Sequence, residues 1–139
     1  CMVSSIVYNV ALHAGLEILE RHPHQRVVRY VAPGLDAALD SGRKDLKLRN
    51  PHSTPVSFRL MRHGKYLTAE LFAEGTERAT IRIEREVAQD QIPGSLEPGF
   101  RVRTLRVYTA HDATPVKKEI LSQDTFLPID AAAEGDLQR

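Results

Sequence analysis

The chain has 139 residues, 42% of them hydrophobic, with 19 basic and 18 acidic side chains and a formal net charge of +1. That length supports one domain of ordinary size with a modest core. Charges so evenly balanced and scattered give no electrostatic case for nucleic acid or an anionic membrane surface, and a single cysteine excludes an internal disulfide and a Cys-x-x-Cys zinc site.

From the first residues onward, Val3, Val7, Val10, Ala14 and Ile18 recur at helical spacing, with Leu12, Leu16 and Leu19 as a second stripe beside them. Ser5, Asn9, His13 and Glu17 leave only a narrow polar face, so the spacing predicts a largely buried helix. Pro23 keeps the residue before it out of the helical region, which sets the expected helix end near Arg21. The apolar-rich stretch from Ile6 to Leu19 is interrupted by Asn9, His13 and Glu17 and is too short to cross a bilayer.

Beyond the helix the period changes to two. Val27, Tyr30 and Val31 predict a strand, Pro33-Gly34 a turn, and Leu46 and Leu48 alternating with Lys47 and Arg49 a half-buried strand. Residues 50–55 read as a loop by composition. Residues 56–61 and 66–71 flank His63-Gly64 and predict a β-hairpin. Residues 80–87 alternate as a further strand, while 91–99, with Pro93, Gly94, Pro98 and Gly99, read as a connector. A second hairpin is expected from 100–108 and 116–121 around His111-Asp112-Ala113. Together these elements predict an α+β fold: one buried N-terminal helix packed on a mostly antiparallel β-sheet, followed by a strand-rich tail. The expected organisation is a core over 1–90, a β-hairpin tail over 91–130 and a frayed C-terminus over 131–139.

Cys1 stands at the start of the predicted helix, where free backbone amides and the helix dipole favour a thiolate. His22 or His24, folded back along the helix, would act as base, and Asp36 would orient the imidazole, the order of a thiol triad. Papain-like and transglutaminase-like folds share that layout, an analogy at the level of fold. A structural reading competes with it: Cys1 as a small packed residue, and the His-Pro-His turn as a cap on the helix C-terminus. His22, His24 and Asp36 also suit zinc, but Pro23 disturbs the strand that would aim both rings at one ion, and neither a metal nor another cofactor is expected.

Ser5, Tyr8 and Asn9 lie on or near the polar helix face and would line a cleft above Cys1, holding substrate. Against this stand capping of the first turn for Ser4 and Ser5, packing for Tyr8, and a semi-buried hydrogen bond to the strand loop for Asn9. His13 is expected on the polar helix face, and His52, His63 and His111 in solvated turns. Arg82, Arg85, Arg101, Arg103 and Arg106, interleaved with Glu84 and Glu86, predict a solvated, cross-paired sheet face.

One string is specific enough to suggest kinship. Cys1, Ser4-Ser5, Tyr8-Asn9, Ala14-Gly15-Leu16-Glu17-Ile18, Glu20-Arg21-His22, His24, Tyr30-Val31, Gly34 and Asp36-Ala37 fall in one ordered pattern. The pattern resembles the VanW family, in which a glycine run leads into Cys-Gln-x-Ser-Ser and then an Ala-Gly-Leu-Glu-Ile segment. The likeness continues through residues 44–50 and more loosely through 99–103 and 124–128. Met2 stands where the family has glutamine, removing an amide donor beside the sulfur. The preceding glycine run is missing, so the chain is expected to be N-terminally truncated, with a processed N-terminal cysteine as the rival reading.

The resemblance implies an extracytoplasmic protein of the cell envelope, exported or membrane-tethered, linked to glycopeptide (vancomycin) resistance and acting on or beside peptidoglycan. No signal peptide is visible, but a chain opening inside the motif would not display one. Two function classes follow. In one, Cys1 attacks an amide carbonyl while His24 moves the proton and Asp36 orients the ring; in the other, the same residues hold the helix to the sheet in a non-catalytic wall-binding or scaffolding module.

Overall fold

A glycine decides where the first element stops. In the computed structural model, which describes residues 1–75, 80–90 and 98–128, helix α1 spans Met2–His13. Gly15 follows at φ +74°, a left-handed conformation that a residue without a Cβ adopts readily. The Leu16 amide donates to the Ala11 carbonyl at 3.0 Å and the Gly15 amide to that of Leu12 at 3.3 Å, the two bonds of a Schellman cap. The helix therefore ends well before Arg21, and Pro23 has no part in stopping it. Apolar residues continue past the cap because β1, Glu17–Glu20, begins at once, and its Ile18 packs against the cluster formed by Tyr8, Leu12 and Ala37.

Carbonyls in and just beyond the last turn are also met by distant side chains. His52 Nε2 lies 3.0 Å from the Ala14 carbonyl. Arg106, only 3% exposed, donates to the Leu12 and Leu16 carbonyls at 3.2 and 2.9 Å. Cationic or donor groups are favourable at this end of a helix. The His-Pro-His turn is thus not the cap, His52 is half-buried rather than solvated, and Arg106 leaves the wet sheet face on which its neighbours Arg82 and Arg103 pair with Glu84 and Glu86.

Strand β1 pairs antiparallel with β2, Lys47–Arg49, setting Ile18 opposite Leu48. β3, Val56–His63, and β4, Tyr66–Ala73, form the expected hairpin with His63 opposite Tyr66, so that Gly64 at φ +60° and Lys65 make the turn. β5, Thr80–Asp90, β6, Gly99–Thr109, and β7, Pro115–Phe126, form a three-stranded antiparallel sheet in the order β5-β6-β7. Among the described residues, one helix and antiparallel strands in three sheets make the α+β fold predicted. The boundary expected at residue 90 falls between two strands of one sheet; residues 91–97 of the expected connector and the expected frayed end lie outside the described residues.

β6 reads as almost continuously buried because it is the central strand and shifts register between Thr104 and Leu105. Val102 and Val107 on it are fully enclosed. Between β1 and β2 the chain forms no strand, including at Val27, Tyr30 and Val31. Its backbone is met elsewhere: the Val27 amide donates to the Leu127 carbonyl at 3.0 Å and the Leu127 amide to that of Gln25 at 2.9 Å. Among the described residues no helix is long and apolar enough to cross a membrane.

Candidate functional site

Asp36 is the centre of this irregular segment and is 1% exposed. A carboxylate removed from water must have its oxygens filled by donors. Oδ2 accepts from the His24 amide and from His24 Nδ1, both at 2.7 Å, and Oδ1 accepts from Arg21 Nη2 at 2.9 Å and the Gly34 amide at 3.2 Å. Arg21 also donates from Nε to the Asp36 carbonyl at 2.7 Å and from Nη1 to Asp124 on β7. Its guanidinium lies 5.3 Å from the centroid of the Tyr8 ring. One arginine therefore ties the loop to both α1 and the far sheet.

The direction of the bonds at His24 follows from what each partner can do. A carboxylate only accepts, so Nδ1 carries a hydrogen toward Asp36, and in the neutral ring Nε2 is left as an acceptor. The Tyr30 hydroxyl, 3.3 Å away, fills it, with the two rings edge to face. Burial raises the Tyr30 hydroxyl above its ordinary value, and a hydrogen bond from Ser5 opposes that rise. The result is a directed chain from the Tyr30 hydroxyl through His24 to a buried carboxylate.

His24 and Asp36 are brought together as the sequence suggests; Cys1 lies elsewhere. Its exposed sulfur accepts from the Leu39 amide at 3.4 Å and faces the Leu39 carbonyl at 3.8 Å. His22 points to β1, where its Nε2 is 2.9 Å from Glu20 Oε1. Lys47 on Glu20 Oε2, with His22 as the second cause, holds that carboxyl down to about 2.

The α1 residues divide. Ser5 Oγ accepts from the Ala37 amide at 3.0 Å, and Ser4 Oγ donates to the Ala37 carbonyl at 2.7 Å. Asn9 Nδ2 donates to the carbonyls of Ser5 and Leu35 at 2.7 and 2.6 Å. Tyr8 sits in the core at 1% exposure, and burial pushes its hydroxyl up to about 12.

A raised folded pKa stabilises the fold below the unfolded value of about 10 and loses that contribution as pH climbs through 12. The wild-type chain is expected to lose stability to urea between about pH 9 and about pH 11.5, and Tyr8→Phe to lose distinctly less. Equal losses in both proteins would remove Tyr8 as the cause.

A cavity of about 380 Å³ opens between α1, Tyr30 and the β3–β4 turn, lined by Ser5 and Asn9 on one side and Lys65, Tyr66 and Leu67 on the other. Of the substrate-holding residues expected from the sequence, Ser5 and Asn9 line it and Tyr8 does not. Tyr30, read as part of a strand, is the residue joining this cavity to His24. Arg21 and Asp124 gave no local signal, since they meet across 103 positions. No three His, Cys, Asp or Glu side chains among the described residues are arranged to hold a metal ion.

Comparison with known proteins adds a family. Residues 1–72 match the family model described as VanW like protein. The chain is similar to the uncharacterized protein YoaR of Bacillus subtilis (strain 168), with 32% identity over 99 residues, covering 66% of this chain and 33% of that protein. It thus spans about a third of that relative's length. No solved structure matches it.

Proposed function

Because this chain belongs to the VanW-like family, we propose that it is a non-catalytic wall-binding module of the cell envelope, with its ligand seated between α1, Tyr30 and the β3–β4 turn. The observation that carries this reading is that the imidazole and the thiol do not meet: His24 Nδ1 is held by Asp36 at 2.7 Å and Nε2 by Tyr30 at 3.3 Å, while the Cys1 sulfur accepts from the Leu39 amide at 3.4 Å. A general base must reach the proton it removes, whereas a ring bonded at both ends braces the loop that forms one wall of the cavity. A concave cleft with a few converging polar groups is the usual form of a small-ligand site. The envelope location and peptidoglycan as the polymer rest on kinship.

A second reading keeps an activity. The Leu39 amide donating to an exposed Cys1 sulfur at 3.4 Å favours the thiolate, which would attack an amide carbonyl of a peptidoglycan peptide and form a thioester as the C–N bond breaks and the departing amine takes a proton from solvent water. Co-sedimentation with purified peptidoglycan sacculi separates the two. The wild-type chain and Cys1→Ser are expected to sediment equally, and neither to release new amines from the wall. Failure of the wild type to sediment sinks the binding module; Cys1-dependent release establishes the enzyme in its place.

A further inference from the structure

We propose that the cavity between α1 and the β3–β4 turn takes a small unit carrying an amide or hydroxyl hydrogen together with a carboxylate, the hydrogen meeting Asn9 Oδ1 and the carboxylate meeting Lys65. The inference deepens the wall-binding reading and takes the location of the site from it.

The first half rests on which way the Asn9 amide faces. Its nitrogen lies 2.7 Å from the Ser5 carbonyl and 2.6 Å from the Leu35 carbonyl. Carbonyls only accept, so both contacts require N–H groups, and the opposite orientation would set oxygen against oxygen twice. Both amide hydrogens are therefore spent, one on the helix's own Ser5 carbonyl and one on joining the helix to the loop. Oδ1 has no partner among the described residues, and Asn9 lines the cavity. Tyr30 adds to the bias: its hydrogen is directed to His24 Nε2, so its oxygen presents lone pairs. Acceptors of this kind select a ligand that brings hydrogens.

The second half is charge. Among the described residues Lys65 is the sole charged side chain lining the cavity, and it has no acidic partner. Arg59 is paired with Glu70 and Arg82 with Glu84, whereas Lys65, like Lys117 on the Tyr108 ring, stands against an aromatic face. The Lys65 ammonium lies 5.6 Å from the centroid of the Tyr66 ring, which is 67% exposed. A ring face holds the cation on one side and leaves its hydrogens for an anion on the other. Apolar surface from Ile6, Tyr66 and Leu67 suits a methyl group or the face of a sugar ring.

Two sources supply this chemistry, a carboxylated N-acetyl sugar and the end of an acylated peptide. Amide chemical shifts of the 139-residue chain are followed during titration with N-acetylmuramic acid, with N-acetyl-alanyl-alanine, and with N-acetylglucosamine as the probe lacking a carboxylate. At least one carboxylated probe is expected to shift the Asn9 side-chain amide and the Gly64 and Lys65 backbone amides, with N-acetylglucosamine about tenfold weaker, the scale of one charge-assisted bond. Lys65→Gln should weaken the carboxylated probe about tenfold and leave N-acetylglucosamine as it was. Which of the two carboxylated probes binds identifies the source.

Lys65 is exposed and makes no ion pair among the described residues, so the variant retains the fold, and its unshifted core amides would verify this. The inference is overturned if neither carboxylated probe moves these signals, if N-acetylglucosamine binds as well as they do, or if Lys65→Gln changes nothing. Sedimentation with sacculi but no response to either probe would reject the site assignment and leave the wall-binding reading standing. Binding of a probe without sedimentation would uphold the ligand class and reject the wall.

Discussion

Replacing Asp36 with alanine is expected to cost the fold about 3–5 kcal/mol, the range for breaking one side of a buried ion pair. The side chain is 1% exposed and accepts four hydrogen bonds. Its loss leaves the Arg21 guanidinium, itself 4% exposed, with Asp124 as its remaining acid, and strands the His24 and Gly34 amides without acceptors. A buried donor without a partner adds about 1–3 kcal/mol by itself, so the upper part of the range is the better expectation. Urea unfolding of wild type and variant measures it. A change below about 1 kcal/mol would mean that the cluster is not what braces the loop, and the reading of His24 as a structural ring would fall with it. The bonding state of His24 offers an independent check: its nitrogen shifts should report hydrogen on Nδ1 in the wild type and a mixture of tautomers once Asp36 is gone.

Gly34→Ala should be nearly as damaging, for a steric reason. Gly34 has φ +89°, and a Cβ built there would lie 2.5 Å from Thr104 Oγ1 and 2.9 Å from Val102 Cγ1. Both neighbours are fully enclosed on the central strand β6 and cannot swing away. Overpacking of this kind costs about 1–3 kcal/mol and the left-handed backbone about 1 more, so a loss of about 3 kcal/mol is expected. Gly42 is the control, with φ +75° and nothing within 4 Å of its Cβ position; Gly42→Ala should cost only the backbone part, about 1 kcal/mol. Equal losses at the two positions would show that the loop does not press on β6.

Both residues were legible before their roles were. Pro33-Gly34 reads as a turn from composition, yet the reason for the glycine is a strand some seventy positions away. Asp36 reads as an orienter of histidine and does bond His24, yet it also bonds Arg21, which no spacing rule connects to it. The helix end shows the same limit at short range. Apolar positions stay in helical phase through Ile18 and Leu19, and Pro23 offers a plausible stop, but Gly15 ends the helix with its own backbone bonds. Periodicity outvoted a local capping signal because a strand following at once happens to place its apolar residue, Ile18, on the same side.

Determined by the sequence itself are the family string, the α+β class, the β3–β4 hairpin and the strands β2, β5, β6 and β7, because side-chain alternation and turn chemistry act between near neighbours. Only the tertiary structure decided that Arg21 meets Asp124, that Arg106 and His52 close the helix end, that Cys1 meets Leu39 rather than a histidine, and that Tyr30 stands between the cavity and His24. The physical reason is that a charged or polar group takes whichever partner the assembled sheets bring within about 3 Å. That choice is settled by chain segments far apart in order, and no short stretch of residues records it.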